Sequence, residues 1–315
     1  MDNHATAWRG VFTIPCTPFD DTGALDLASL AREIEFCVDA GAHGIVGPVN
    51  ASEAWTLTDD ERRQVSETIV ETTAGRIPVV VGVSAGSAEA SLVFMRHANE
   101  IGADAVIALP PTGPTAPLSA IHDYYRRLGE ATSIPIFIQN HDAPYGTRLP
   151  AEFVAQLIRE VPFVDWVKEE TVPSGHAIAK EIELAGTRLQ GVMGGIAGRY
   201  LFDEYRRGAC GTMPACEVTD LHVLVWNALD AGDEAGARHL FSRLLPLLNF
   251  EARMSGVYKA VLKRRGVIAS DYMRHYAGNP LDELDRVELD AILDDLRDLY
   301  TLAVPEPVAL TRAGA

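Results

Sequence analysis

The chain has only four lysines among its 27 cationic side chains: Lys168, Lys180, Lys259 and Lys263. Three fall in stretches with helical periodicity, where a solvated stem is ordinary. Lys168 instead ends an apolar, β-rich run within the window Val164-Asp-Trp-Val-Lys-Glu-Glu170. A lysine on the wall of a barrel mouth is partly desolvated, which favours its neutral amine. A neutral amine attacks a ketone and forms a Schiff base. The plainer alternative is a structural lysine paired with Glu169 or Glu170. Strand side chains two residues apart share a face. An inward Lys168 therefore brings Trp166 and Glu170 with it and turns Glu169 to the helices or the rim. Glu170 then stands beside the amine, either as a proton acceptor or as a counter-ion only.

Eight short apolar runs can position such groups: Val11–Pro15, Gly44–Val49, Pro78–Val83, Asp104–Leu109, Pro135–Gln139, Val164–Lys168, Leu189–Met193 and Ala209–Met213. Helical periodicity fills the gaps, as in Leu27–Ala40, Ser87–Ile101, Ser119–Ala131, Pro150–Val161, Ser174–Ala185 and Ala197–Arg207. Thr58 and Glu61 have the spacing of a capping box at the start of another helix. Glycines follow several of these helices, where a left-handed cap suits them. Eight strands alternating with helices predict an α/β chain, a (β/α)8 barrel over residues 8–218. An open doubly wound sheet would want fewer strands, and no GxGxxG follows the first run. After 218 only helical segments follow, predicting a C-terminal helical appendage over 219–303 and a loose tail over 304–315. Leu281–Leu299 is strongly acidic and is read as a solvated face.

Composition narrows the function. Of 315 residues 47% are hydrophobic, so the chain folds, and the formal charge of −17 argues against nucleic acid as a partner. No apolar run reaches the length of a membrane span. Cys16, Cys37, Cys210 and Cys216 form no CxxC pair, and the histidines are scattered, so no metal site is expected. Free thiols and the absence of a secretion pattern point to a reducing, cytoplasmic location.

Barrel chemistry sits at the carboxyl ends of the strands. After strand two, Gly47-Pro-Val-Asn-Ala-Ser-Glu53 offers small residues and backbone amides suited to a carboxylate. Gln139 ends strand five and is the expected inward polar group there. After strand seven, Gly191–Gly198 lets a substrate approach the backbone. Gly194 and Met213, at the ends of runs seven and eight, join the substrate-binding candidates.

Several segments together resemble the dihydrodipicolinate synthase / N-acetylneuraminate lyase family of pyruvate-handling barrels. They are GVFTIPCTPFDDTGALDLASL, GIVGPVNASEAWTLTDDER, IPVVVGV, GADAVIALPP and WVKEE, and the similarity covers roughly residues 8 to 300. The resemblance implies that Lys168 is the Schiff-base lysine. The family's GTTGE loop is here Val49-Asn50-Ala51-Ser52-Glu53, which leaves Asn50, Ala51 and Ser52 to hold the substrate carboxylate. Where the family has a proton-shuttling tyrosine stands Gln139, which cannot shuttle a proton. That departure, Ile138-Gln139 followed by Asp142-Ala143-Pro144, and a Glu two residues after the lysine resemble the 2-keto-3-deoxy sugar-acid dehydratases, of the L-2-keto-3-deoxyarabonate dehydratase type. Asn140-His141 reads as an insertion placed to sense substrate length. The resemblance implies a lyase in which Lys168 forms the imine and Glu170 removes the C3 proton, so that the C4 hydroxyl leaves. It implies a homotetramer, a small keto-acid as the only partner, and no organic cofactor, since the imine is the electron sink. The alternatives are an aldolase of a hydroxylated 2-keto acid using a water or His141, and a barrel that binds a keto acid without turnover.

Overall fold

The computed structural model describes residues 8–111, 116–144, 146–252, 256–274 and 281–305. All eight expected strands form, and they close in sequence order into a parallel barrel. They are β1 (Gly10–Thr13), β2 (Gly44–Gly47), β3 (Val79–Gly82), β4 (Ala105–Ala108), β5 (Ile136–His141), β6 (Val164–Glu170), β7 (Gly191–Gly194) and β8 (Gly211–Thr212). The intervening helices are α1 (Leu27–Asp39), α2 (Asp59–Thr73), α3 (Ala88–Glu100), α4 (Leu118–Glu130), α5 (Ala151–Glu160), α6 (Ser174–Ala185) and α7 (Leu201–Arg206). The α2 capping box is present in both directions: the Glu61 amide donates to Thr58 Oγ1 at 3.2 Å and the Thr58 amide to Glu61 Oε2 at 2.9 Å. Gly41 and Gly208, just past α1 and α7, have φ of +82° and +97°, the region that favours glycine.

Strand alternation sorts the core into two layers. Phe12, Val46, Val80, Ile107, Phe137, Trp166 and Met193 fill the barrel. Ile45, Val81, Val106, Ile138, Val167 and Val192 face the helices. Trp8 stacks under this interior, its ring 5.3 Å from Trp166 and 6.2 Å from Phe137. The floor is therefore aromatic and dry, and polar side chains concentrate at the opposite end.

Three details refine the sequence reading. First, β5 and β6 run two residues further, pairing Gln139 with Lys168, Asn140 with Glu169 and His141 with Glu170. Asn140 and His141 are thus ladder residues and not a loop insertion. Second, α7 begins at Leu201 where Ala197 was expected. Ile196 and Ala197 take φ of 49° and 58°, and a 3-10 turn spans Ile196–Gly198. The Ile196 amide donates to Glu170 Oε1 at 3.1 Å, so the chain curls toward β6 before it can turn helical. Third, the expected boundary at residue 219 coincides with the start of a helix that touches both parts. Helix α8 (Thr219–Asp230) packs on β1 and on α9 (Glu234–Glu251), so it closes the barrel's outer ring while opening the C-terminal layer.

That layer continues with α10 (Val257–Arg264) and α11 (Glu283–Asp295), sharing one apolar cluster through Trp226, Leu244, Leu248, Val261, Leu289 and Leu293. Its acidic helix is shorter than the Leu281–Leu299 stretch and exposes its charged side as expected. Of the tail, residues 306–315 lie outside the described residues. No helix among the described residues is long and apolar enough to cross a membrane.

A fully buried ion pair fastens the layer. Arg265 donates to Asp220 Oδ1 at 2.9 Å and Oδ2 at 2.8 Å, and to the Glu217 and Leu302 carbonyls at 2.6 Å. Removing one partner strands a buried charge. Asp220→Ala is expected to destabilise the fold by roughly 3–5 kcal/mol, read as a lower urea midpoint. A change of less than about 1 kcal/mol, the scale of a surface pair, would show that this lock is not needed.

Candidate active site

β5 and β6 place three of the predicted side chains together inside the barrel mouth. Lys168 Nζ lies 3.1 Å from Glu170 Oε2. Gln139 Nε2 donates to the same oxygen at 2.6 Å. All three are buried: Lys168 is 3% exposed, Glu170 6% and Gln139 1%. Burial pushes the Glu170 carboxyl up, but it ends below the usual carboxylate range. The charges of Lys168 and His141 pull it down, helped by the Gln139 and Ile196 donors. The site thus holds an ionised carboxylate against the lysine in a nearly dry place.

The opposite face of the same two strands is also polar. Asn140 Nδ2 donates to Glu169 Oε2 at 2.8 Å, and the Asn140 amide group exchanges hydrogen bonds with the Leu149 backbone at 3.0 and 2.8 Å. Asn140 therefore anchors the chain leading into α5 and cannot read the substrate. His141, inward and opposite Glu170, keeps that option, its Nδ1 2.7 Å from the Asp142 carbonyl.

The loop after β2 folds into two successive 3-10 turns, Asn50–Ser52 and Ala54–Thr56. Ser52 is turned into the loop itself: its hydroxyl donates to the Pro15 carbonyl at 2.6 Å and its amide to the Val49 carbonyl at 3.0 Å. Of the three predicted carboxylate donors, Ser52 thus shapes the loop, while Asn50 lines a small cleft with Pro48, Val49, Trp55, Ser84 and Gln139. Ala51 lies between, half-buried against the barrel interior.

The two other candidates take different places around this trio. A Cβ on Gly194 would lie 1.9 Å from Glu204 Oε2, so Gly194 faces the helices and makes room for a buried acid. The glycine beside the site is Gly195, where a Cβ would come 2.4 Å from Glu170 Cγ. Met213 is buried with Met193 among the interior side chains, and its amide donates to the Gly194 carbonyl at 2.9 Å.

Lys259, read as an ordinary helix lysine, is also buried. It pairs with Glu53, donates to the Tyr272 carbonyl at 2.9 Å and sits over the Phe19 ring. Arg274 adds a second tie, donating to Glu61 at 2.7 and 2.8 Å. The C-terminal layer thereby holds the loop after β2. Long-range pairing of this kind has no local signature in the sequence. Nor has the meeting of Cys16, Glu33 and Cys216, where the Cys216 thiol donates to Glu33 Oε1 at 2.8 Å and the Cys16 amide at 2.6 Å.

A match to the model of the "Dihydrodipicolinate synthetase family" runs over residues 7–296. This chain belongs to that family. Among its relatives is the L-2-keto-3-deoxyarabonate dehydratase of Azospirillum brasilense, 38% identical over 293 residues, which cover 90% of this chain and 93% of the relative. The 4-hydroxy-tetrahydrodipicolinate synthase of Bartonella bacilliformis is 26% identical, over 81% of this chain and 87% of its own. Among solved structures, a putative dihydrodipicolinate synthetase from Pseudomonas aeruginosa superposes with a TM-score of 0.86 at 28% identity, over 92% of this chain and 99% of its own. The family is one of lyases built on this barrel, and the dehydratase relative favours the hydro-lyase branch.

Two buried carboxyls near this core give the fold a pH signature. Burial pushes Glu33 and Glu204 up to about 7 from an ordinary value of 4.5, and repulsion from Glu170 and Glu169 adds to the rise at Glu204. Between those values these two groups keep protons in the folded chain that they lose in the unfolded chain, so their contribution to stability falls as pH rises from about 4.5 to 7 and then levels off. Glu204→Gln carries no titrating group there, so its melting temperature should fall less between pH 5 and pH 7.5 than that of the wild type. Identical falls would remove Glu204 from this account.

Proposed function

We propose that the chain is a Schiff-base-forming dehydratase of a 2-keto-3-deoxy sugar acid. The observation that carries this reading is the buried trio in which Gln139 and Lys168 both address one oxygen of Glu170. A lysine next to a carboxylate inside a dry barrel mouth can form an imine and move a proton on the same substrate. The dehydratase relative supports the substrate class.

In this mechanism Lys168 gives up one proton to solvent, the neutral amine adds to the C2 carbonyl, and a proton taken back by the departing hydroxyl carries it off as water and leaves the protonated imine. The positive nitrogen acidifies the C3 protons. Glu170, ionised in the resting site, takes one of them and the electron pair moves into an enamine. The enamine expels the C4 hydroxyl, which leaves as water with the proton carried by Glu170. Hydrolysis of the conjugated imine restores Lys168 and releases a product that tautomerises to a 2,5-dioxo acid. Gln139 holds Glu170 by its amide nitrogen, and Asn50 and the Ala51 amide take the substrate carboxylate. No organic cofactor enters, because the iminium nitrogen receives the electrons. The assembly is read as a homotetramer and the location as cytoplasmic, supported by the family and by the four free cysteines.

Borohydride added with pyruvate should fix label on the peptide bearing Lys168, as mass analysis of the digest would show. Label on any other peptide overturns the mechanism. Glu170→Gln should keep this trapping but lose turnover by about 10²-fold or more, the scale of a lost general base. Near-normal turnover would remove that role. In a panel of 2-keto-3-deoxy acids the dehydratase yields dioxo acid and no pyruvate, and released pyruvate would instead mark an aldolase.

A further inference from the structure

Trp55 is half exposed, at 47%, in the second 3-10 turn after β2, on the same cleft as Asn50 and Gln139. Its indole nitrogen donates to Asn50 Oδ1 at 2.8 Å. An indole N–H can only donate, so the asparagine must present its carbonyl to the ring. That leaves the Asn50 amino group as the end without an acceptor among the described residues. A second amide in the cleft is oriented by the same logic. Gln139 meets a carboxylate, which accepts only, so its nitrogen faces Glu170 and its oxygen is left over. The cleft therefore presents an amide donor on the β2 side and an amide acceptor on the β5 side. This polarity matches a substrate with a carboxylate at one end and a hydroxyl further along.

We infer that Trp55 is a positioning residue for the substrate carboxylate: its N–H locks the Asn50 amide with the NH2 group turned to the ligand. The inference rests on the imine reading of Lys168 and deepens it. Free rotation of the Asn50 amide would present oxygen as often as nitrogen, and an oxygen repels a carboxylate. Trp55 removes that choice before the substrate arrives, which lowers the ordering cost of binding. The rest of the Asn50 environment is rigid, because the turn is closed by the Ser52 hydroxyl and by the Lys259–Glu53 pair.

The test measures how much pyruvate is needed to half-saturate borohydride trapping at Lys168, which reads keto-acid binding apart from dehydration. Trp55→Phe keeps the ring and loses the N–H, and should raise that concentration about fivefold, the worth of one neutral hydrogen bond. Asn50→Ala should raise it at least as much. In the double variant Trp55→Phe should add nothing further, since its effect runs through Asn50. Effects that multiply, or no shift for Trp55→Phe with the wild type trapping normally, overturn the role of Trp55 and leave the imine standing. If the wild type itself traps no pyruvate at Lys168, the imine reading fails, and the role of Trp55 fails with it.

Discussion

The site depends on placing a lysine and a carboxylate side by side where both are buried. Alone, either charge would be costly to bury. Together, with Gln139 and the Ile196 amide completing the shell of Glu170, they hold each other in the barrel. The constraint spreads outward. The Ile196 amide must reach Glu170, so the β7–α7 connection curls and the helix starts late. Gly195 must lack a side chain because Glu170 occupies that space. The β5–β6 ladder must continue past Lys168 to keep Gln139 and His141 in register with their partners. The buried trio therefore stands on strands and not on loops, which holds it to a precision that loops seldom provide.

The second organising feature is the reach of the C-terminal layer. Lys259 and Arg274 cross the rim to grip Glu53, inside the loop after β2, and Glu61, in the helix that follows it. Arg265 anchors the same layer beneath through Asp220. The appendage is continuous with the barrel through α8 and serves as the backing of the loop proposed to hold the substrate carboxylate.

Much of this was legible in the sequence. Eight apolar runs of the right spacing defined the barrel, and the Thr58–Glu61 box defined a helix start. Lys168 stood out because it alone among four lysines ended a strand, and alternation then put Trp166 and Glu170 on its side and Glu169 on the other. What stayed hidden depended on contacts between distant residues. The strand ends at His141 and Glu170 are polar, and only their mutual pairing keeps them extended. Nothing local distinguishes Lys259 from an exposed helix lysine, because its partner is Glu53. Gly194 and Gly195 are adjacent and alike in sequence, and only the acids packed against each one separate their roles.

The buried acids change what the charge of this protein means. The formal value of −17 treats every Asp and Glu as ionised. In the fold, burial raises Glu33, Glu204 and both members of the pairs Glu169–Glu181 and Glu217–Glu251, and repulsion within each pair adds to the rise at Glu181 and Glu251. The native molecule therefore carries fewer negative charges at neutral pH than its composition states. These buried acids push its isoelectric point upward, and it should migrate more slowly toward the anode than a count of all its acidic residues would suggest.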